Sequence, residues 1–240
     1  MSRRGEPARL ARLSAVDALA EALRTRILDG ELAPGTPLRE EALAGEYDVA
    51  RHTLRSALRA LQGEGLVQIL PNRGARVTSL SQEDVRGLSD LRVALEVEAA
   101  RMALERCDGR LPASVHDAAE RLAALCGRRR AAWGPVAAAH EELHHAIVEA
   151  SGSPRMEAVH RQAGAELRLF VLQLPPSWTF ERIAADHLEL VRRLEADGPD
   201  ALRPHIAEST RALLEEGSGL AFQHPPSEQR PGAGMQDLTP

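Results

Sequence analysis

The sequence predicts a mainly α fold in two parts: a three-helix unit closed by a β-hairpin, then an antiparallel all-α bundle of six or seven helices. Three observations carry this. Ala, Leu, Arg and Glu dominate, and aromatic residues make up only 2% of 240 positions, a bias toward helix formers. Apolar residues recur at helical spacing in segment after segment, punctuated by Gly and Pro. The β-rich runs, "LVQIL" (66–70) and "ARVTS" (75–79), stand close together around the turn "PNRG" (71–74).

The elements follow in order. Ser14-Ala-Val-Asp17 is a capping-box variant that opens a first helix, whose apolar set Val16, Leu19, Ala20, Leu23, Ile27 and Leu28 runs until Gly30. "ELAPGTPL" (31–38) is a connector, and "REEALAGEY" (39–47) fits a short second helix with Leu43 and Ala44 inward. After a turn at Asp48, "ARHTLRSALRALQGEG" (50–65) makes a third helix with Leu54, Ala57, Leu58 and Leu61 on its inner face. Three helices and a two-stranded hairpin describe a winged helix-turn-helix. A second capping-box variant, Ser81-Gln-Glu-Asp84, opens a long helix through "LRVALEVEAARMAL" (91–104). Further helices are expected at about 113–127, 131–151, 154–173, 179–196 and 200–216. Domains are therefore placed at 14–79 and 80–216, between a flexible arm (1–13) and a disordered tail (217–240).

Composition excludes several chemistries. No lysine occurs, so a Walker A lysine, a Schiff-base lysine and a kinase lysine are ruled out. Cys107 and Cys126 form no CxxC pair and suggest no disulfide framework, which points to a reducing cytoplasm. No run approaches 18 apolar residues, so no membrane span is expected. The formal charge of -5 is unevenly divided. Residues 1–78 hold 12 Arg against 10 acidic residues, while residues 79–240 hold 18 Arg against 25. A mildly basic front and an acidic back imply two modules with different partners.

On the third helix, Arg51, His52, Thr53 and Arg55 fall on the outer face or at its N-terminal end. That is where a recognition helix meets base edges, and arginine can bind guanine bidentately. Arg73 at the wing tip and Arg39 at the head of the second helix complete the expected DNA-binding set. The pieces "ILDGELAPGTPL", "LREEALA", "ARHTLRSALRAL" and "EGLVQILPNRGARV" resemble the N-terminal domain of GntR-family bacterial transcription regulators over some 55 residues. Where such proteins commonly begin with Gly and carry two arginines, this chain reads "DVARHTLRS" (48–56), with the arginines at Arg51 and Arg55. The resemblance implies double-stranded operator DNA as partner.

The back half resembles the FCD ligand-binding domain of the FadR-like branch, in "LRVALEVEAARMA" (91–103), "HEELHHAIVEASGS" (140–153), "DHLELVRRLEAD" (186–197) and "HIAES" (205–209). In that family an Asp and three His bind a divalent metal inside a cavity. The resemblance carries the three histidines onto His144, His187 and His205, and puts His140 where the Asp stands. A four-imidazole set favours a softer ion, Zn or Ni, over Mg or Ca. Pro204 directly precedes His205, and Ser209 one turn on is an alternative to it. Arg92 is either a guanidinium presented to the cavity or an i+4 partner of Glu96.

His140-Glu141-Glu142-Leu143-His144 also satisfies the H-E-x-x-H pattern of zinc proteases. A protease would need Glu141 as general base beside an open metal position, and Glu141 is expected instead to face solvent, about 100° round the helix from His140. His116, His145, His160 and His224 read as ordinary surface or core histidines. The reading is a non-enzymatic, homodimeric, ligand-responsive regulator, a repressor by expectation, whose effector is a small carboxylate near the metal. Two alternatives stand beside it: a regulator that senses the metal itself, and a metal-dependent hydrolase.

Overall fold

The computed structural model describes residues 14–71 and 73–216. The expected arm and tail, 1–13 and 217–240, lie outside the described residues. The first part contains α1 (Ala15–Leu28), β1 (Pro37–Leu38), α2 (Glu40–Glu46), α3 (Arg51–Gly63), β2 (Val67–Leu70) and β3 (Gly74–Val77). The second contains α4 (Gln82–Arg106), α5 (Ala113–Cys126), α6 (Trp133–Ala150), α7 (Pro154–Leu172), α8 (Phe180–Asp197), a 3-10 turn (Pro199–Ala201) and α9 (Leu202–Glu216).

Both capping boxes form. Asp17 N donates to Ser14 Oγ at 3.2 Å and Ser14 N donates back to Asp17 Oδ2 at 3.2 Å, so the first amides of α1 are satisfied without a Glu. Ser81 and Asp84 repeat the exchange at the start of α4 with bonds of 3.1 and 2.8 Å. Between α2 and α3 the chain passes through the left-handed region at Asp48, φ 49°, a conformation that Asp tolerates better than most side chains. Leu19, Leu23 and Ile27 of α1 meet Leu54, Leu58 and Leu61 of α3 in one buried core.

The sheet has three strands rather than the expected two. β1 pairs antiparallel with β3 through Pro37 opposite Arg76 and Leu38 opposite Ala75, and β2 pairs on the other side of β3, Val67 opposite Val77 through Leu70 opposite Gly74. Pro37 is tolerated because β1 is an edge strand, whose outward amide need not be in a ladder. A second departure lies before α9. The single helix expected over 200–216 is divided, with a 3-10 turn leading into a helix that starts at Leu202. Pro204 then sits in the first turn, where a missing N–H costs nothing.

The two parts touch closely. Leu28 and Asp29 at the end of α1 abut Gly134 in the first turn of α6, where a Cβ would lie 2.5 Å from the Asp29 Cα and 2.8 Å from the Leu28 carbonyl oxygen. Only glycine fits there. Gln173 Oε1, after α7, accepts from Leu80 N at 3.1 Å.

Candidate functional site

Three helices of the bundle bring four imidazoles to one place. His140 and His144 lie one turn apart on α6, His187 on α8 and His205 in the first turn of α9. Ring centroids are 4.7 Å apart for His140 and His144, 4.6 Å for His140 and His187, and 4.6 Å for His187 and His205. The His205 ring also stacks on His144 at 5.5 Å. One donor nitrogen from each of His140, His144 and His187 lies within 4.8 Å of the others. Ser209, the alternative to His205, turns its hydroxyl back to the Ile206 carbonyl at 3.0 Å.

The surroundings orient these rings. The His187 Nδ1 donates to the Ile183 carbonyl at 2.7 Å, which leaves the lone pair on Nε2. The His144 Nδ1 lies 2.8 Å from Glu96 Oε2, and the same tautomer argument leaves the lone pair on its Nε2. Two nitrogens, His140 Nδ1 and His187 Nε2, are buried with no hydrogen-bond partner among the described residues. Unsatisfied buried nitrogens carry a desolvation cost that coordination would remove. The donor set therefore fits a divalent ion with a preference for imidazole, Zn2+ or Ni2+.

Burial sets the charge state. It pushes the His187 imidazole down to about 3, with further lowering from His144. His140 and His205 are held well below the ordinary histidine value, first by burial and then by the neighbouring imidazoles. His144 is lowered by burial and partly restored by Glu96. Neutral imidazoles are the form that binds metal.

Arg92 and Glu96 on α4 form the floor. Both are buried, at 3% and 0% exposure, and joined by Arg92 Nε to Glu96 Oε1 at 2.8 Å. The Arg92 Nη2 lies 3.2 Å from His144 Nδ1 and 3.1 Å from its Nε2. The two sequence alternatives for Arg92 thus coexist: it pairs with Glu96 and also reaches the histidine cluster. Burial alone would raise the Glu96 carboxyl, but Arg92 and His144 together hold it well below the usual carboxylate range. Nothing in the sequence places Glu96 in the site beyond its spacing from Arg92.

Glu141, expected to face solvent, is only partly exposed, at the edge of an open cavity. It is half-buried against α7, where a Cβ at Gly164 would stand 3.1 Å from Glu141 Oε1. His160 of α7 is also more than an ordinary core residue: at 2% exposure it puts Nε2 3.6 Å from Glu96 Oε1. His116 bonds Glu195 at 3.0 Å, while His224 lies outside the described residues.

In the first module, Arg51, His52 and Arg55 are exposed in the first turns of α3, and Thr53 is half-buried. Arg51 Nη2 donates to Glu41 Oε1 at 3.1 Å and Arg55 Nε to Glu40 Oε2 at 2.8 Å, both acceptors belonging to the first turn of α2. His52 Nε2 lies 3.4 Å from Thr53 Oγ1. Arg39 is exposed at the N-cap of α2, and Arg73 is exposed in the turn between β2 and β3.

Residues 15–77 match the gntR family of bacterial regulatory proteins, and residues 88–212 match the FCD domain. The protein belongs to the GntR family of bacterial regulatory proteins, in the group that carries an FCD domain. It is thus of the GntR/FCD transcriptional-regulator type. It is 35% identical over 146 residues to an uncharacterized HTH-type transcriptional regulator, BphR, of Paraburkholderia xenovorans, a match spanning 58% of this chain and 59% of that one. It is 36% identical over 87 residues to the gluconate operon transcriptional repressor of Bacillus licheniformis, covering 36% of this chain and 35% of that one. These matches therefore span about three fifths of the first relative and a third of the second. Among solved structures, a GntR regulator from Rhodococcus sp. RHA1 superposes with a TM-score of 0.68 at 24% identity, over 84% of this chain and 98% of that one, and so shares the fold.

Proposed function

We propose that this regulator is a homodimeric repressor released or strengthened by a small carboxylate, which binds at a divalent metal held by His140, His144, His187 and His205. The observation that carries the reading is the pair of buried, unpartnered nitrogens, His140 Nδ1 and His187 Nε2, aimed into a cluster of neutral imidazoles. Such an ion would supply a Lewis-acidic positive centre for an anionic oxygen. Arg92 lies beside His144 and adds a guanidinium to the same place. Glu96 holds Arg92 and His144 in position, and Ile183 fixes the His187 tautomer.

Operator DNA is met by α3, with Arg51, His52, Thr53 and Arg55 toward base edges and Arg39 and Arg73 toward the backbone. A two-fold dimer matches the symmetry of paired half-sites. No described helix is long and apolar enough to cross a membrane. The hydrolase alternative is set aside, because Glu141 turns toward α7 and the family consists of DNA-binding regulators.

The test is a thermal-shift screen of hydroxy and sugar acids on full-length protein, with and without a chelator. Acids that stabilise only the metal-loaded protein and shift operator affinity support the reading. Equal stabilisation of chelated protein rules out metal-mediated binding. Operator affinity that follows free metal with no acid present would favour the metal-sensing alternative.

A further inference from the structure

The stretch His140-Glu141-Glu142-Leu143-His144-His145 contains two i, i+4 pairs offset by one residue. His140 and His144 belong to the cluster described above. Glu141 and His145 point about 100° further round α6, toward α7. There they meet His160, and one donor atom from each of Glu141, His145 and His160 lies within 4.8 Å of the others. We propose that these three side chains form a second metal site, a four-coordinate zinc position completed by water.

The geometry is that of a ligand set with little left to move. His145 Nδ1 and His160 Nδ1 are 3.4 Å apart. Two nitrogens bound to one tetrahedral zinc at about 2.0–2.1 Å are separated by about 3.3–3.4 Å. His160 is buried, and its other nitrogen, Nε2, has no hydrogen-bond partner among the described residues and faces Glu96 Oε1 at 3.6 Å. A proton on Nε2, turned to that carboxylate, leaves the Nδ1 lone pair for the ion, the usual outer support of a zinc-bound histidine. Glu141 reaches the place because position 164 has no side chain: a Cβ there would crowd its Oε1 at 3.1 Å.

His145 needs one adjustment. Without metal, Arg161 Nη2 lies 3.1 Å from His145 Nε2, so the imidazole proton sits on Nδ1 and faces His160. On binding, that proton leaves Nδ1 and Nε2 carries one instead, with Glu157 Oε1 3.8 Å away as its acceptor. Arg161 is exposed and already paired with Glu157, so it gives way easily. The surrounding charge is balanced: Arg24, Arg121, Arg161 and Arg168 line the same cavity as Glu141, Glu142 and Glu149, and Glu157 lies 3.8 Å from His145. Water reaches the site through a cavity of about 460 Å³ lined by Glu141, His145, Arg161 and Arg168, together with Arg24 and Leu28 of α1.

This site uses none of His140, His144, His187 or His205 and stands independently of the first. Glu96 lies between the two, with Oε2 2.8 Å from His144 and Oε1 3.6 Å from His160.

The experiment is zinc titration of chelator-stripped full-length protein against a chromophoric zinc chelator, with circular dichroism to verify folding of each variant. His145→Ala is expected to bind one zinc fewer per protomer than wild type. Loss of zinc from His140→Ala/His187→Ala reports on the first centre alone, so either centre can fail without the other. An unchanged count in folded His145→Ala overturns the proposal. If His145→Ala does not fold, Glu141→Gln decides: a tenfold or greater weakening of one zinc per protomer supports the site, and wild-type binding overturns it.

Discussion

Arg55 of the recognition helix donates through Nε to Glu40 Oε2 at 2.8 Å, so a side chain expected on DNA is held by the helix that precedes it. Arg51 stands in the same relation to Glu41. These exposed pairs contribute little stability, but they fix where the two guanidinium groups wait. Arg51→Ala and Arg55→Ala should each weaken operator binding by about 1–3 kcal/mol while keeping most nonspecific affinity. Anisotropy titrations at fixed salt measure this, and wild-type operator affinity in folded variants would remove α3 from the interface.

The carboxylates beneath make an opposite prediction. Glu40→Gln removes both the competitor for Arg55 and a negative charge close to the approaching phosphates. Affinity for nonspecific duplex should rise, most at low salt. A fall in affinity would mean that Glu40 is needed to aim Arg55 rather than to restrain it.

Glu96 is the partner of two buried groups, Arg92 and His144. Glu96→Ala leaves an uncompensated guanidinium in the bundle, a loss on the order of 3–5 kcal/mol. Denaturant unfolding of the chelated protein is the check. A change below about 1 kcal/mol would show that Arg92 reaches solvent readily once released.

The imidazole cluster gives a pH dependence whose sign is fixed. In the unfolded chain these histidines take up protons near the reference value of about 6.5, whereas in the fold His187 does so only at about 3. The unfolded state thus binds more protons between these values, and stability falls as pH falls. Metal-free protein should be at full stability above about pH 7 and lose at most about 1.4 kcal/mol per pH unit for each such imidazole below 6.5. Melting of chelated protein between pH 7.5 and 5 measures it. The slope should flatten in His187→Gln, and an identical slope there would mean that other groups dominate.

Much of this was legible in the sequence because it is local. Ser14 with Asp17 and Ser81 with Asp84 specify helix starts within four residues, and Leu54, Ala57, Leu58 and Leu61 mark one helix face. β1 escaped because two residues led by Pro37 carry no periodicity. Glu141 was misplaced for a related reason: helix geometry gives its direction from His140 but not what packs opposite, and Gly164 on α7 supplies that. His160 and Glu96 have no signal on their own helices beyond a spacing or a lone imidazole, and only the packing of α4, α6 and α7 joins them. His144, His187 and His205 were found through a family resemblance, since no spacing links residues on three different helices.

Gly134 gives the molecule a lever. The first turn of α6 meets the backbone and side chain of Asp29 with no side chain of its own at Gly134, while His140 and His144 lie six and ten residues along the same rod, about 9 and 15 Å at 1.5 Å per residue. With no side chain of α6 at the near end, a small swing of α6 about His140 and His144 has to push α1, and α1 packs on the helix that carries Arg51 and Arg55. Slack between two halves is ordinarily supplied by side-chain rotamers on both; at this joint α6 supplies none.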